Sequence, residues 1–177
     1  MSSKQTPKIS SGALVCGDNK MHGDITFGTN SIVHPSCTIS AESGPIIFGD
    51  TCIIEEQAKI IHRVPFYRTD KNPVMFIGSN NVFEIDCTVE AAKIGNNNIF
   101  EPKCFVGNKV TITDGCVIGA GCVLTDEQVL PKNTIVHGSG CKQREALDQP
   151  NPQFGLMDTL MRLLPNYHHI RKPIKKP

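Results

Sequence analysis

At 177 residues, with 39% hydrophobic and 20% charged side chains and a formal net charge of +1, the chain is sized for one main body. That charge supplies no global field for nucleic acid, a membrane surface or another polyion, so partners must be recognised by shape. The eight cysteines contain no Cys-x-x-Cys pair, the N-terminus lacks an apolar leader run, and no stretch reaches the roughly 20 apolar residues of a membrane span; a soluble intracellular chain with free, buried thiols is expected.

Residues 1–8 read as a flexible N-terminus. From there an apolar side chain recurs every six residues, at Ile9, Val15, Met21, Phe27, Val33 and Ile39. The count resumes at Phe48, Ile54 and Ile60, again at Ile77, Phe83 and Val89, and then runs through Ile94, Phe100, Val106, Ile112, Ile118, Leu124, Leu130 and Val136. A period of six fits neither an α-helix nor an alternating strand. It suits a short strand followed by a turn, three of which close one triangular coil of about 18 residues. Stacked about 4.8 Å apart, such coils put each apolar residue above its counterpart one coil below. The twenty positions make six to seven coils.

The position four after each apolar residue also faces the interior and wants a small side chain. Cys37, Cys52, Cys87, Cys104, Cys116 and Cys122 fall there. Gly and Asn follow the inward residue in Phe27-Gly28-Thr29-Asn30, Ile77-Gly78-Ser79-Asn80 and Ile94-Gly95-Asn96-Asn97. Tight corners need residues that tolerate positive φ.

Three breaks interrupt the count: extra residues near Glu42 to Pro45, a long insertion between Ile61 and Phe76, and one residue missing between Val89 and Ile94. Only the second is long enough to leave the prism, as a loop at about residues 61–76. Its prolines, its basic residues Arg63 and Arg68 and its aromatics Phe66 and Tyr67 make it either a spacer or a partner contact.

The count fails after Cys141, so the β-helix is expected over residues 9–141 and a linker, helix and basic tail over 142–177. Phe154, Leu156, Met157, Leu160, Met161, Leu163 and Leu164 recur at spacings of three and four, which predicts an amphipathic helix over about residues 152–164, ended by Pro165. So short a helix needs support and is expected to pack along one prism face. Tyr167, His168, His169 and the basic residues beyond them are expected to form a solvated or partner-facing tip; adjacent histidines lack the i, i+4 spacing of a helical metal site.

The stretch Phe48-Gly49-Asp50-Thr51-Cys52-Ile53-Ile54-Glu55-Glu56, the long loop, and Ile77-Gly78-Ser79-Asn80-Asn81-Val82 resemble the γ-carbonic-anhydrase-like, hexapeptide-repeat family. Its members are left-handed parallel β-helices. Handedness is taken from this resemblance, because parallel crossovers are otherwise right-handed. The resemblance implies an all-β fold, a left-handed parallel β-helix of hexapeptide repeats with a C-terminal α-helix packed along the prism.

Three histidines hold a water-activating metal in that family. Their places here are Ile61, Ile85 and Glu90, so no metal, no cofactor and no catalytic residue is expected. The family's Arg-Gly-Asp reads His22-Gly23-Asp24 and its Gln-Asp reads Glu55-Glu56. Neighbouring strand residues point opposite ways, so Glu55 and Glu56 are expected to divide between inside and outside rather than share a reacting atom. For acyl transfer the leftover candidates are His34 and His137, each at a turn where a solvated histidine is expected. A divergent carbonic anhydrase or acyltransferase is the alternative function.

Lys8-Ile9, Ser43-Gly44-Pro45-Ile46-Ile47, Ile54-Glu55-Glu56-Gln57-Ala58 and, above all, Leu163-Leu164-Pro165-Asn166-Tyr167-His168-His169 resemble the β-helical subunits of the dynactin pointed-end complex. That resemblance implies a non-catalytic structural subunit, cytoplasmic and cytoskeleton-associated with the kinetochore as a further location, that supports dynein-dependent microtubule transport and cargo adaptation. It implies as partners the sister β-helix, dynactin subunit five, together with dynactin subunit four and the pointed-end actin-related protein. The candidate contact residues are Arg63, Phe66, Tyr67, Arg68, Tyr167, His168 and His169.

Overall fold

The computed structural model describes residues 6–67 and 73–171. Short strands stack in parallel on three faces of a prism. The first face runs from Lys8–Ile9 to Gln128–Leu130, the second from Leu14–Val15 to Thr134–His137, and the third from Lys20–His22 to Val123–Leu124. An antiparallel strand, Lys142–Glu145, pairs with Thr134–His137 and closes the second face.

The register follows the six-residue count. Ile9 lies opposite Phe27, Phe48 opposite Ile77, Ile77 opposite Ile94, and Ile112 opposite Leu130. On the second face Val15 meets Val33, Phe83 meets both Ile54 and Phe100, and Ile118 meets Val136. The third face aligns Met21, Ile39, Ile60, Val89, Val106 and Leu124. All three breaks are absorbed at corners, since pairing resumes in phase beyond each. These inward columns form one buried cluster against which Ile9 and Met21 are partly buried. Phe27 stacks on Phe48 at 5.1 Å and Phe83 on Phe100 at 4.7 Å, adding ring–ring attraction to apolar burial.

Corner chemistry divides differently from expectation. The left-handed positions are held by Asn30, Thr51, Asn80, Asn97 and Asn133, with Gly12 and Gly115, after the first face, and by Ser36, Gln57, Asp86 and Lys103, with Gly121, after the second. The glycines directly after the inward first-face residue, Gly28, Gly49, Gly78 and Gly95, serve close approach instead. A Cβ on Gly28 would lie 2.2 Å from the Gly49 carbonyl oxygen, and one on Gly78 would lie 2.4 Å from that of Gly95.

All eight cysteines are free thiols and seven are buried. Those at the expected small-residue position also reach across coils: Cys37 Sγ donates to Glu55 O at 3.0 Å and Cys52 Sγ to Gly78 O at 3.2 Å. Asn81 and Asn98 occupy the same position and bridge coils with their amides, Asn81 Oδ1 accepting from Asn98 N at 2.9 Å and Asn98 Oδ1 from Cys116 N at 2.7 Å. The position therefore selects a small side chain able to satisfy a buried backbone group.

The C-terminal helix spans Phe154–Tyr167 and includes Pro165, which therefore does not end it. The ring sits in the last turn, where the missing N–H costs only one bond. Asn166 Nδ2 donates to Arg162 O at 3.1 Å, and the His168 N–H caps Leu164 O at 2.9 Å. The helix lies on the second face: Met157, Leu160 and Leu164 pack on the outward side chains Leu14, Ile32, Ile53 and Val82. Phe154, Leu156 and Leu163 are exposed, so the apolar residues expected on one buried side divide between two. Leu156, Leu163 and Tyr167 flank the buried stripe at helical spacing.

Candidate interaction site

The loop after the third-face strand Lys59–His62 is laid against the prism as far as it is described. Arg63 grips Glu42, with Nε 2.8 Å from Oε2 and a second guanidinium nitrogen 3.1 Å from Oε1. This fork-to-fork pair bridges the corner widened by the extra residues near Glu42. Arg63 also approaches Glu90 at 3.9 Å, and its carbonyl accepts from Asn108 Nδ2 at 2.8 Å. The Val64 amide donates to Ser43 Oγ at 3.1 Å, and buried His62 joins its Nε2 to Pro73 O at 2.9 Å. Both ends of the insertion are thus tied to the prism.

Beyond these anchors Phe66 is fully exposed, edge-on to Tyr67, while Lys109 Nζ lies 5.7 Å from the centre of the Tyr67 ring. Arg68 lies outside the described residues. The described part of the loop thus offers an anchored base followed by exposed aromatics, an arrangement suited to contact.

The three places matched to metal ligands separate. Ile61, within the strand Lys59–His62, and Glu90, just past Val89, lie on adjacent coils, following the pairing of Ile60 with Val89. Ile85 is apart from them at a corner, 46% exposed. Isoleucine offers no donor atom, and Glu90, whose carboxyl is pushed up by burial against the counteracting pull of Arg63, faces a guanidinium. This donor set does not fit a metal ion. Among the described residues there is no group of three or more His, Cys, Asp or Glu side chains arranged to hold one.

The histidines considered for acyl transfer are also apart. His34 is buried rather than solvated, and its Nδ1 lies 2.8 Å from Glu56 Oε1. His137 is exposed. Glu55 and Glu56 follow a strand of only two residues and lie at its corner, both half-buried, so the expected inside-and-outside division does not occur. Burial pushes the Glu55 carboxyl up. Burial is also the largest single influence on Glu56, but the His34 hydrogen bond, a backbone hydrogen bond and the charge of the nearby His34 and His168 rings together outweigh it and hold that carboxyl below the usual range. No signal in the hexad count reveals this pair, whose members lie on adjacent coils.

At the tip of the helix Tyr167 is 74% exposed, His168 is half-buried and His169 is exposed. The tip folds back instead of projecting freely. Gly17 N donates to His169 O at 2.6 Å, Ile170 bridges to Cys16, and the Arg171 guanidinium donates to Gly17 O at 2.9 Å and Asn19 O at 3.2 Å. This segment covers part of the first coil, and Tyr167 joins the exposed apolar flank of the helix.

The family model described as Dynactin subunit 5 matches residues 2–163. A Danio rerio protein named Dynactin subunit 6 is 44% identical over 183 aligned residues, covering 98% of this chain and 94% of its own. The Xenopus tropicalis protein of that name is 45% identical, covering 95% of this chain and 86% of its own, and one from Nematostella vectensis is 43% identical with 96% of each covered. A hexapeptide transferase family protein from Anaplasma phagocytophilum superposes with a TM-score of 0.73 at 17% identity, over 91% of this chain and 92% of its own. At that identity the likeness carries the fold alone, the left-handed hexapeptide-repeat β-helix.

Proposed function

The chain belongs to the dynactin subunit 6 family, and on that premise we propose that it is a non-catalytic structural subunit of the dynactin pointed-end complex. It pairs with the sister β-helix, dynactin subunit 5, and lies close to subunit 4 and the pointed-end actin-related protein. Through dynactin it associates with the cytoskeleton and supports dynein-driven transport and cargo adaptation.

The observation that carries the assignment is the 43–45% identity to proteins named Dynactin subunit 6 along nearly the whole chain. The non-catalytic role draws support from Ile61 and Ile85, which cannot ligate a metal, and from the separation of His34 and His137. A stack of coils with two flat faces, an anchored loop and a surface helix can hold neighbours at fixed spacing. The Arg63 to Tyr67 segment and the Leu156, Leu163 and Tyr167 flank are the contact candidates.

Affinity purification of the tagged full chain from cells tests this function. Co-purification of subunits 4 and 5 and the pointed-end actin-related protein in comparable molar amounts is expected. Recovery of the chain only with copies of itself would overturn the proposal.

A further inference from the structure

The cysteine at the last turn of the prism has a position unlike the other seven. On the third face the first strand amide donates to a carbonyl one coil on: Lys59 N to Cys87 O at 2.8 Å, Thr88 N to Cys104 O at 2.8 Å, and Phe105 N to Cys122 O at 2.8 Å. Val123 begins the last strand of that face. Its amide donates to Cys141 Sγ at 3.2 Å, so a thiol stands where the next carbonyl would be.

Cys141 belongs to the turn between Thr134–His137 and Lys142–Glu145, with φ of 47°. The Cys141 amide donates to Gly138 O at 3.0 Å, and Cys122 Sγ donates to that same oxygen at 3.5 Å. The turn therefore brings Cys141 over Cys122, the residue before Val123. Cys141 is partly exposed while Cys122 is buried.

We propose that Cys122 and Cys141 form a reversible dithiol–disulfide pair that responds to hydrogen peroxide and, when oxidised, staples the terminal hairpin to the last coil. The Cys141 thiolate attacks the peroxide O–O bond, giving a sulfenic acid and releasing the other oxygen as water after protonation. The Cys122 sulfur then attacks the Cys141 sulfur, the S–O bond breaks, water leaves, and the Cys122 proton passes to solvent or to the departing hydroxide. The two thiols lose two electrons in all, and one peroxide becomes two waters.

Accessibility sets the order. Burial, and then the hydrogen bond shared with Cys141, push the Cys122 thiol up to about 11, so it does not react first. Cys104 and Cys87 continue the column beneath and are buried, which keeps oxidation at the prism end.

The reduced full-length protein, treated with hydrogen peroxide and digested with trypsin without reductant, tests the pair. Cleavage at Lys109, Lys132 and Lys142 puts Cys141 in one peptide and Cys122 with Cys116 in another, and fragmentation spectra separate Cys122 from Cys116. The expected product is a Cys122–Cys141 link within one chain, two hydrogens lighter, reversed by dithiothreitol and absent from Cys141→Ser. In Cys122→Ser, the Cys141 sulfenic acid trapped by a dimedone probe rises several-fold over the unsubstituted protein. Unlinked sulfinic or sulfonic acid at Cys141, a link between two chains, or no oxidation at a dose that oxidises free cysteine would each overturn the proposal.

Discussion

The inward columns of the prism and its outward ladders obey different rules. Inward, all three faces carry Ile, Val, Leu, Phe or Met, and the choice among them changes packing without changing the fold. Outward, the faces differ: the third presents Lys20, Thr38, Lys59, Thr88, Phe105 and Val123, while the second presents an unbroken apolar ladder of Leu14, Ile32, Ile53, Val82, Ile99, Val117 and Ile135. The helix takes the lower part of that ladder. Inward residues set the scaffold; outward residues decide what lies on it.

The largest expected effect is on the inward side. Ile118→Asp buries an unpaired charge and should destabilise by about 4 kcal/mol or more, observed as loss of the cooperative melt. Glu90→Gln, at a corner, should leave the melting temperature nearly unchanged. Similar melting of the two variants would break the register.

The next effect separates the two stripes of the helix. Leu160→Ala and Leu164→Ala should each cost about 2 kcal/mol, the low end for a buried leucine, and should speed hydrogen exchange across the C-terminal helix. Leu156→Ala and Leu163→Ala, on the exposed flank, should stay within about 0.5 kcal/mol in denaturant titration. Equal losses would mean that the helix is turned differently on the second face.

Glu55 and Glu56 give a smaller test in which two adjacent residues have opposite signs. Glu56, held below the usual range by His34, contributes stability that is present at neutral pH and lost as the pH falls through the acidic range below its ordinary value. Glu55, pushed up by burial, contributes in acid, and that contribution disappears as the pH rises through its raised value. At neutral pH, Glu56→Gln should therefore lower the melting temperature while Glu55→Gln leaves it unchanged or raises it. The smallest effect is expected at Arg63→Ala, within about 1 kcal/mol because the pair is exposed, yet with faster proteolytic cleavage of the loop.

The prism is legible in the sequence because each coil repeats a strong local rule: one apolar residue in six, a small one four later, and Asn at the corner. The second face's outward ladder is visible too, in Ile32-Val33, Ile53-Ile54 and Ile99-Phe100, where the residue before the inward one is also apolar. What the repeat cannot reveal is pairing between coils interrupted by insertions. His34 meets Glu56 and Arg63 meets Glu42 across a coil lengthened by the three-residue bulge near Glu42, which takes both pairs off the 18-residue repeat. The helix is legible as amphipathic, but its two apolar stripes adjoin, and spacing alone does not say which one the prism covers. Pro165 misleads for a local reason, since a proline in the last turn costs one helical bond without stopping the two residues that follow it.

Size-exclusion light scattering of the purified chain, alone and mixed with dynactin subunit 5, together with elemental metal analysis of each peak, tests the structural-subunit assignment most directly. A one-to-one complex without stoichiometric metal is the predicted result; a self-trimer carrying stoichiometric zinc, cobalt or iron, indifferent to subunit 5, would contradict it.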